Sequence, residues 1–279
     1  MGRFLTRISA MLALTMALAG MSANAASAAE TAACRAGTLY LTFDTGSMSQ
    51  AELIARTLRR HHIRATFFLA NEPTVNHDSS LDPAWAPYWK ALAADGHVFG
   101  THTFDHVYLR SVRGDKVTMR PQFGAQAGKD VTMTADAFCT ELRRSAQAFQ
   151  SMTGQPMAPL WRAPGGRTAP QTLAWAGQCG FRHVDWAPAG FLGDELSSEK
   201  FPNQALLDRA LRDLRDGDIT MAHLGIWSRK DPWAPAVLEP LLTGLEQKGF
   251  CFATLREHPR YRDWFQAPTL QSSSPEGRR

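Results

Sequence analysis

The chain has 279 residues, of which 44% are hydrophobic and 20% charged, with a net charge of +4. That balance excludes a disordered or fibrous chain and allows a sizeable buried core in one large domain or two small ones. The positive excess is dispersed, with short clusters at Arg56, Arg59 and Arg60 and at Arg143 and Arg144; without a basic and aromatic stripe, nucleic acid is not an expected partner.

In chain order, the first segment reads as a leader. Arg3 and Arg7 form a positive start, Ile8 to Ala19 an apolar run, and Ala23-Asn24-Ala25 or Ala26-Ser27-Ala28 a small-residue cleavage site. The apolar run is too short to span a bilayer, and no later run of about twenty apolar residues follows. The expectation is an exported soluble protein, periplasmic or secreted. The expected organisation is a leader over 1–28, one domain over 29–262 and a disordered Ser/Pro-rich tail over 263–279. Four cysteines, Cys34, Cys139, Cys179 and Cys251, suit two disulfides with three possible connectivities. A closed barrel would set its first and last strands side by side. That favours Cys34–Cys251 and leaves Cys139–Cys179.

Residues 38–43 are rich in β-formers and read as a buried strand delivering Asp44. A helix over 49–60 follows, with Ser49 as its expected cap. Residues 65–70 form a second strand, 82–94 a helix stopped by Gly96, and 97–99 a third strand entering Gly-Thr-His-Thr-Phe-Asp-His at 100–106. On a helical turn His102 and His106 would share one face. Two neutral imidazoles there can hold a divalent cation with a third protein ligand and an open water position. Thr103 after the first histidine excludes the zinc-protease motif, which needs Glu there. Residues 108–134 read as a hairpin-like surface excursion with alternating pieces at 117–119 and 131–133, a candidate lip over the site. Then come a helix over 138–152, a strand ending at Leu160-Trp161 before Arg162, a helix over 170–178 and a strand ending in His183-Val184-Asp185-Trp186. A helix over 203–215, a strand over 218–224 carrying His223, a helix over 234–248 and a last strand over 250–255 complete the domain.

Short strands alternating with helices predict right-handed βαβ units and a parallel sheet. Active-site residues then gather at the C-terminal strand ends. Asp44, the His102/His106 pair, Arg162, Asp185 and His223 all fall there.

In this order, Leu-Thr-Phe-Asp-Thr-Gly at 41–46, the histidine segment at 100–106, Trp-Arg-Ala-Pro-Gly-Gly at 161–166, His-Val-Asp-Trp at 183–186 and Met-Ala-His-Leu-Gly at 221–225 resemble five motifs. They are the motifs of the polysaccharide deacetylase family, also called the NodB-homology domain or carbohydrate esterase family four. The resemblance runs from about Leu39 to His258. It implies an α/β fold, an irregular (β/α) barrel of about seven parallel strands. It also implies hydrolysis of acetyl groups, N-acetyl foremost, on an acetylated amino-sugar polysaccharide, with O-deacetylation of xylan known in some relatives. By the same resemblance Asp44 is the catalytic base, Arg162 orients it, His102 and His106 bind a divalent metal (zinc, or cobalt), and His223 is the catalytic acid. Gly165 lends an oxyanion-holding N–H, and Trp186 and Leu224 line the acetyl pocket. On physical grounds a nearby carboxylate such as Asp185, from the fourth motif, is expected to keep His223 protonated, and Trp227 is either a sugar platform or a core-packing residue.

The chain departs from the family at three points. Thr45 stands where a second aspartate usually ligates the metal, Gly165 where an aromatic is common, and Arg182 where a further aspartate often lies. For the missing ligand three readings stay open: Asp44 ligates the metal itself, another carboxylate such as Asp105 moves in, or two histidines and water bind metal weakly. Two other functions stay open as well, a non-catalytic sugar-binding protein on the same fold and an amidase or esterase of a small non-sugar substrate. The oligomeric state is not legible.

Overall fold

A computed structural model describes residues 34–266. The leader and its cleavage sites, and all but the first few residues of the expected tail, lie outside them. The expected boundary at 262 falls inside structure, because a short helix spans Arg262–Gln266.

The first strand is split into β1 (Gly37–Tyr40) and β2 (Thr42–Asp44). Next come β3 (Thr66–Leu69) and β4 (Val98–Thr101), and β2, β3 and β4 are buried throughout. Strands covered on both faces read as continuous apolar runs, which is why these were the clearest in the sequence. Then follow β5 (Val107–Arg113), β6 (Lys116–Pro121), β7 (Val131–Met133), β8 (Leu160–Trp161), β9 (Arg182–His183), β10 (Ala222–His223) and β11 (Phe250–Ala253).

A parallel sheet runs in the order β10-β2-β3-β4-β8-β9, and β1 pairs in parallel with β11. Single parallel bridges, Tyr40 with Ile219 and Phe191 with Met221, link the pieces. With β1 and β2 taken as one stave, these are the seven parallel strands expected of the irregular barrel. Gly100 in β4 lets the wall close: a Cβ there would lie 2.7 Å from the Phe68 ring and 2.9 Å from the Leu160 carbonyl.

Helices over Ala51–Arg60, Ala86–Ala94, Ala135–Thr153, Pro170–Gln178, Asn203–Asp213 and Glu239–Lys248 clothe the barrel. The helix expected from Phe138 begins earlier because Thr134 accepts the Ala137 N–H and caps it. Ser49 does not cap its helix: Gln50 holds the cap position, and the Ser49 hydroxyl meets that of Ser47. The main core packs helix faces such as Ile54, Leu58, Trp89, Leu92, Leu241 and Leu245 against Leu41, Phe43, Phe67 and Phe99.

The excursion is a three-stranded antiparallel sheet, β5-β6-β7, rather than a hairpin. Val107, Leu109, Val117 and Met119 turn inward onto Phe138, Leu142 and Trp161 as a second core. Both disulfides form as expected, Cys34–Cys251 and Cys139–Cys179. Among the described residues no helix is long and apolar enough to cross a membrane.

Candidate active site

Asp44 ends β2, and Arg162 follows the end of β8. Arg162 is fully buried, so its charge needs partners on every side. Its Nη1 donates to Asp44 Oδ1 at 2.9 Å and to Thr42 Oγ1 at 2.7 Å. Its Nε and Nη2 reach the carbonyls of Val184 and Asp185 at 3.4 Å each. The guanidinium lies 4.3 Å from the Phe68 ring centroid and 5.5 Å from that of Trp186. Burial pulls the Asp44 carboxyl up, but Arg162, His102 and His223 outweigh it and hold it below the ordinary aspartate value. Asp44 is therefore a carboxylate at neutral pH, with Oδ1 taken by arginine and Oδ2 turned toward His102 Nε2 at 3.6 Å.

The two histidines do meet, with ring centroids 4.9 Å apart, but not on a helical turn. They sit on a loop beyond β4 in which Thr103 and His106 both adopt positive φ, 60° and 49°. That conformation is rare for residues with a side chain and is held by neighbours. The Thr101 hydroxyl accepts the Thr103 N–H at 3.1 Å, and the Thr103 hydroxyl accepts the Val107 N–H at 2.7 Å. Burial pushes His102 down to about 4 and also lowers His106, so both rings are neutral near pH 7 and the His102–Asp44 contact is not an ion pair. His102 Nδ1 lies 3.0 Å from the Arg162 carbonyl, which places its proton there and leaves Nε2 as an acceptor. His106 Nδ1 is buried without a hydrogen-bond partner.

Thr45 faces a residue the motifs did not single out. Its hydroxyl donates to Glu72 Oε1, and the Gly46 N–H donates to the same oxygen at 2.9 Å. Glu72 lies just past β3, on the same rim, where its N–H donates to Ser80 Oγ at 3.0 Å and its carbonyl accepts the Ser80 N–H at 2.9 Å. Burial raises its pKa, but His106, the Thr45 hydroxyl, the Gly46 N–H and His102 together bring it below the ordinary glutamate value. Asp105, the substitute ligand considered from sequence, is engaged elsewhere: Arg144 Nη1 donates to its Oδ2 at 2.8 Å. Among the described residues no three His, Cys, Asp or Glu side chains already converge as a metal cluster. The donor set nevertheless suits a divalent cation, with two neutral imidazoles, one holding an unpartnered buried nitrogen, beside an ionised carboxylate.

His223 stands beside Asp44 across the β10–β2 pairing. Asp185 is not its carboxylate: that side chain is exposed, 3.5 Å from Arg260. The partner is Asp194, which is buried, accepts the His223 backbone N–H at 2.6 Å and lies 3.1 Å from Nδ1 through either oxygen. Burial opposes charge on His223, but Asp194, then Asp44 and Glu195, outweigh it and push the imidazole up to about 10. Its Nε2 lies 3.9 Å from Glu195 Oε2. Asp194 follows Gly193 in an irregular segment with no periodicity to mark it. Glu72 carried one signal, its place three residues beyond the end of a buried strand.

The remaining expected residues spread over this rim. Gly165 has φ 64°, and a Cβ there would lie 2.9 Å from the Tyr108 ring. Tyr108, from β5, also stacks edge-on to His106 at 4.9 Å. Trp186 is partly exposed above Arg162. Leu224 is wholly buried, and its N–H donates to the carbonyls of Asp44 and Thr45. Trp227 is 62% exposed on the loop after β10.

A family profile described as Polysaccharide deacetylase matches residues 32–184. A chitooligosaccharide deacetylase of Azorhizobium caulinodans is 25% identical over 78% of this chain and 92% of its own length. The peptidoglycan-N-acetylmuramic acid deacetylase PdaA of Bacillus subtilis is 23% identical over 78% of this chain and 70% of its own. Among solved structures, a carbohydrate esterase family four pseudoenzyme of Bacillus anthracis superposes with a TM-score of 0.55 at 16% identity, over 79% of this chain and 64% of its own.

Proposed function

Because the chain belongs to the polysaccharide deacetylase family, we propose that it is an exported, metal-dependent hydrolase that removes acetyl groups, N-acetyl first, from an amino-sugar polysaccharide. The observation that carries this reading is a pair of opposed proton carriers on neighbouring strands. Asp44 is held ionised by Arg162, and His223 is held protonated by Asp194. Hydrolysis of an amide needs both, a base for the attacking water and an acid for the departing amine. Asp44 Oδ2 takes the proton of the water as its oxygen bonds to the acetyl carbon. His223 Nε2 gives its proton to the sugar nitrogen as the C–N bond breaks, yielding acetate and a free amine. Arg162 keeps Asp44 in one orientation, and by the family's pattern the Gly165 N–H would stabilise the developing oxyanion. His102 and His106 would hold the metal, zinc or cobalt, which supplies a water of lowered pKa and polarises the carbonyl. Trp186 and Leu224 border the methyl end, and the two disulfides suit an oxidising compartment.

The test is acetate release from N-acetylglucosamine oligomers by metal-stripped protein, with and without added zinc or cobalt. Metal-dependent release that disappears in His102→Ala is expected. Absence of release from folded protein with every metal would leave sugar binding without turnover, the reading that Thr45 favours, or hydrolysis of a small non-sugar substrate.

A further inference from the structure

We infer that Glu72 replaces the aspartate missing at position 45 as the carboxylate ligand of the divalent metal, with Thr45 as its orienting partner; this rests on the metal-dependent reading above. Two neutral imidazoles and water make a weak site, whereas two histidines and one carboxylate are a sufficient protein set for zinc or cobalt. Thr45 does not offer its oxygen: the hydroxyl donates to Glu72 and accepts the Ala70 N–H at 3.2 Å. Both donors that reach Glu72, from Thr45 and Gly46, fall on Oε1. Among the described residues none reaches Oε2. Hydrogen bonds that fix one carboxylate oxygen and leave the other open are how outer partners orient a metal ligand.

Asp105 is held by Arg144 and Asp194 by His223. Asp44, whose Oδ1 is held by Arg162, keeps its Oδ2 for the proton of the attacking water. Glu72 is tied instead to the Thr45–Gly46 turn that follows Asp44. The unpartnered buried Nδ1 of His106 points independently to a group that the protein does not itself supply. Position 45 has in effect lost its carboxylate while a neighbouring strand end has gained one.

The experiment is titration of the metal-stripped mature chain with Co²⁺, followed by calorimetry and by visible absorption, with thermal unfolding as the control for folding. Wild type is expected to take up one Co²⁺. Glu72→Gln should lower affinity about tenfold or more, and Asp105→Asn should leave it within about twofold. Glu72→His, which keeps a ligand but exchanges oxygen for nitrogen, should retain cobalt with a shifted spectrum, and so tests the idea even if E72Q does not fold. Wild-type affinity in E72Q, or an unshifted spectrum in E72H, while His102→Ala loses the metal, would overturn this inference and leave the metal-dependent reading standing. A folded wild type that binds no Co²⁺ or Zn²⁺ would remove both.

Discussion

Arg162 and Asp44 are a buried ion pair whose members serve each other. Arginine removed alone leaves a desolvated carboxylate, a change that costs about 3–5 kcal/mol. Arg162→Met should show a deficit of that order in urea unfolding at pH 7. The folded pKa of Asp44 is depressed, so its stabilisation is present above the unfolded value and lost as pH falls through the folded one. Without arginine, the burial that raises that pKa loses its strongest opponent, so the deficit should shrink at pH 4; a deficit as large at pH 4 as at pH 7 would refute the pairing. His223 has the opposite sign. Its folded pKa is raised to about 10, so the stabilisation is complete below its unfolded pKa of 6.5 and fades as pH rises toward 10. Asp194→Asn should bring the alkaline limb of the kcat/KM profile down by about one unit or more. Asp185→Asn should leave that limb in place, and a limb that moves with Asp185 instead would reverse the assignment. Asp185 was legible and Asp194 was not, because an aspartate inside a recognised motif draws attention and one in an irregular loop has no pattern. In the structure it is the loop aspartate that touches the histidine.

At the scale of elements, the strands that were legible are those buried on both faces. The strand expected over 218–224 is regular only at Ala222–His223, because its neighbours leave it for bridges and turns. The sheet at 107–133 was hardest to read: its alternation is short, is broken by a register shift between Leu109 and Ser111, and buries one face only. The Cys34–Cys251 bridge fastens the β1–β11 pair, which runs on into the main sheet through β2 and bridges Ile219 at Tyr40. It spans 217 residues against 40 for Cys139–Cys179. The longer loop constrains the unfolded chain more, so the double variant Cys34→Ser/Cys251→Ser should lose about 2–5 kcal/mol, and Cys139→Ser/Cys179→Ser less. Urea midpoints of the two variants under oxidising conditions decide the order, and the reverse order would place the stabilisation in the native contacts rather than in loop length.

Across the whole molecule, the two positions where this chain departs from the family at Thr45 and Gly165 each meet a side chain from another element. Glu72, three residues beyond β3, accepts the Thr45 hydroxyl, and a Cβ on Gly165 would meet the Tyr108 ring of the excursion. A motif read along the chain registers only the departure; the neighbour comes from another element and becomes visible once the barrel closes. The same rim carries Trp227, 62% exposed in the loop that leaves His223. So large an exposed aromatic has no packing to explain it, and a sugar ring presents an apolar face that suits it. If it serves as a platform for a polymer, its contacts lie outside the reacting unit and are made equally before and during reaction. Such contacts set KM and leave kcat alone. Trp227→Ala should therefore raise KM for an N-acetylglucosamine pentamer by about 2- to 12-fold, the equivalent of about 0.5–1.5 kcal/mol of aromatic contact. It should do so at unchanged kcat and with little effect on a dimer too short to reach the ring. Equal losses on dimer and pentamer would put Trp227 beside the reacting sugar. No loss on either would leave it outside the binding surface and turn the reading toward a small substrate held within the rim.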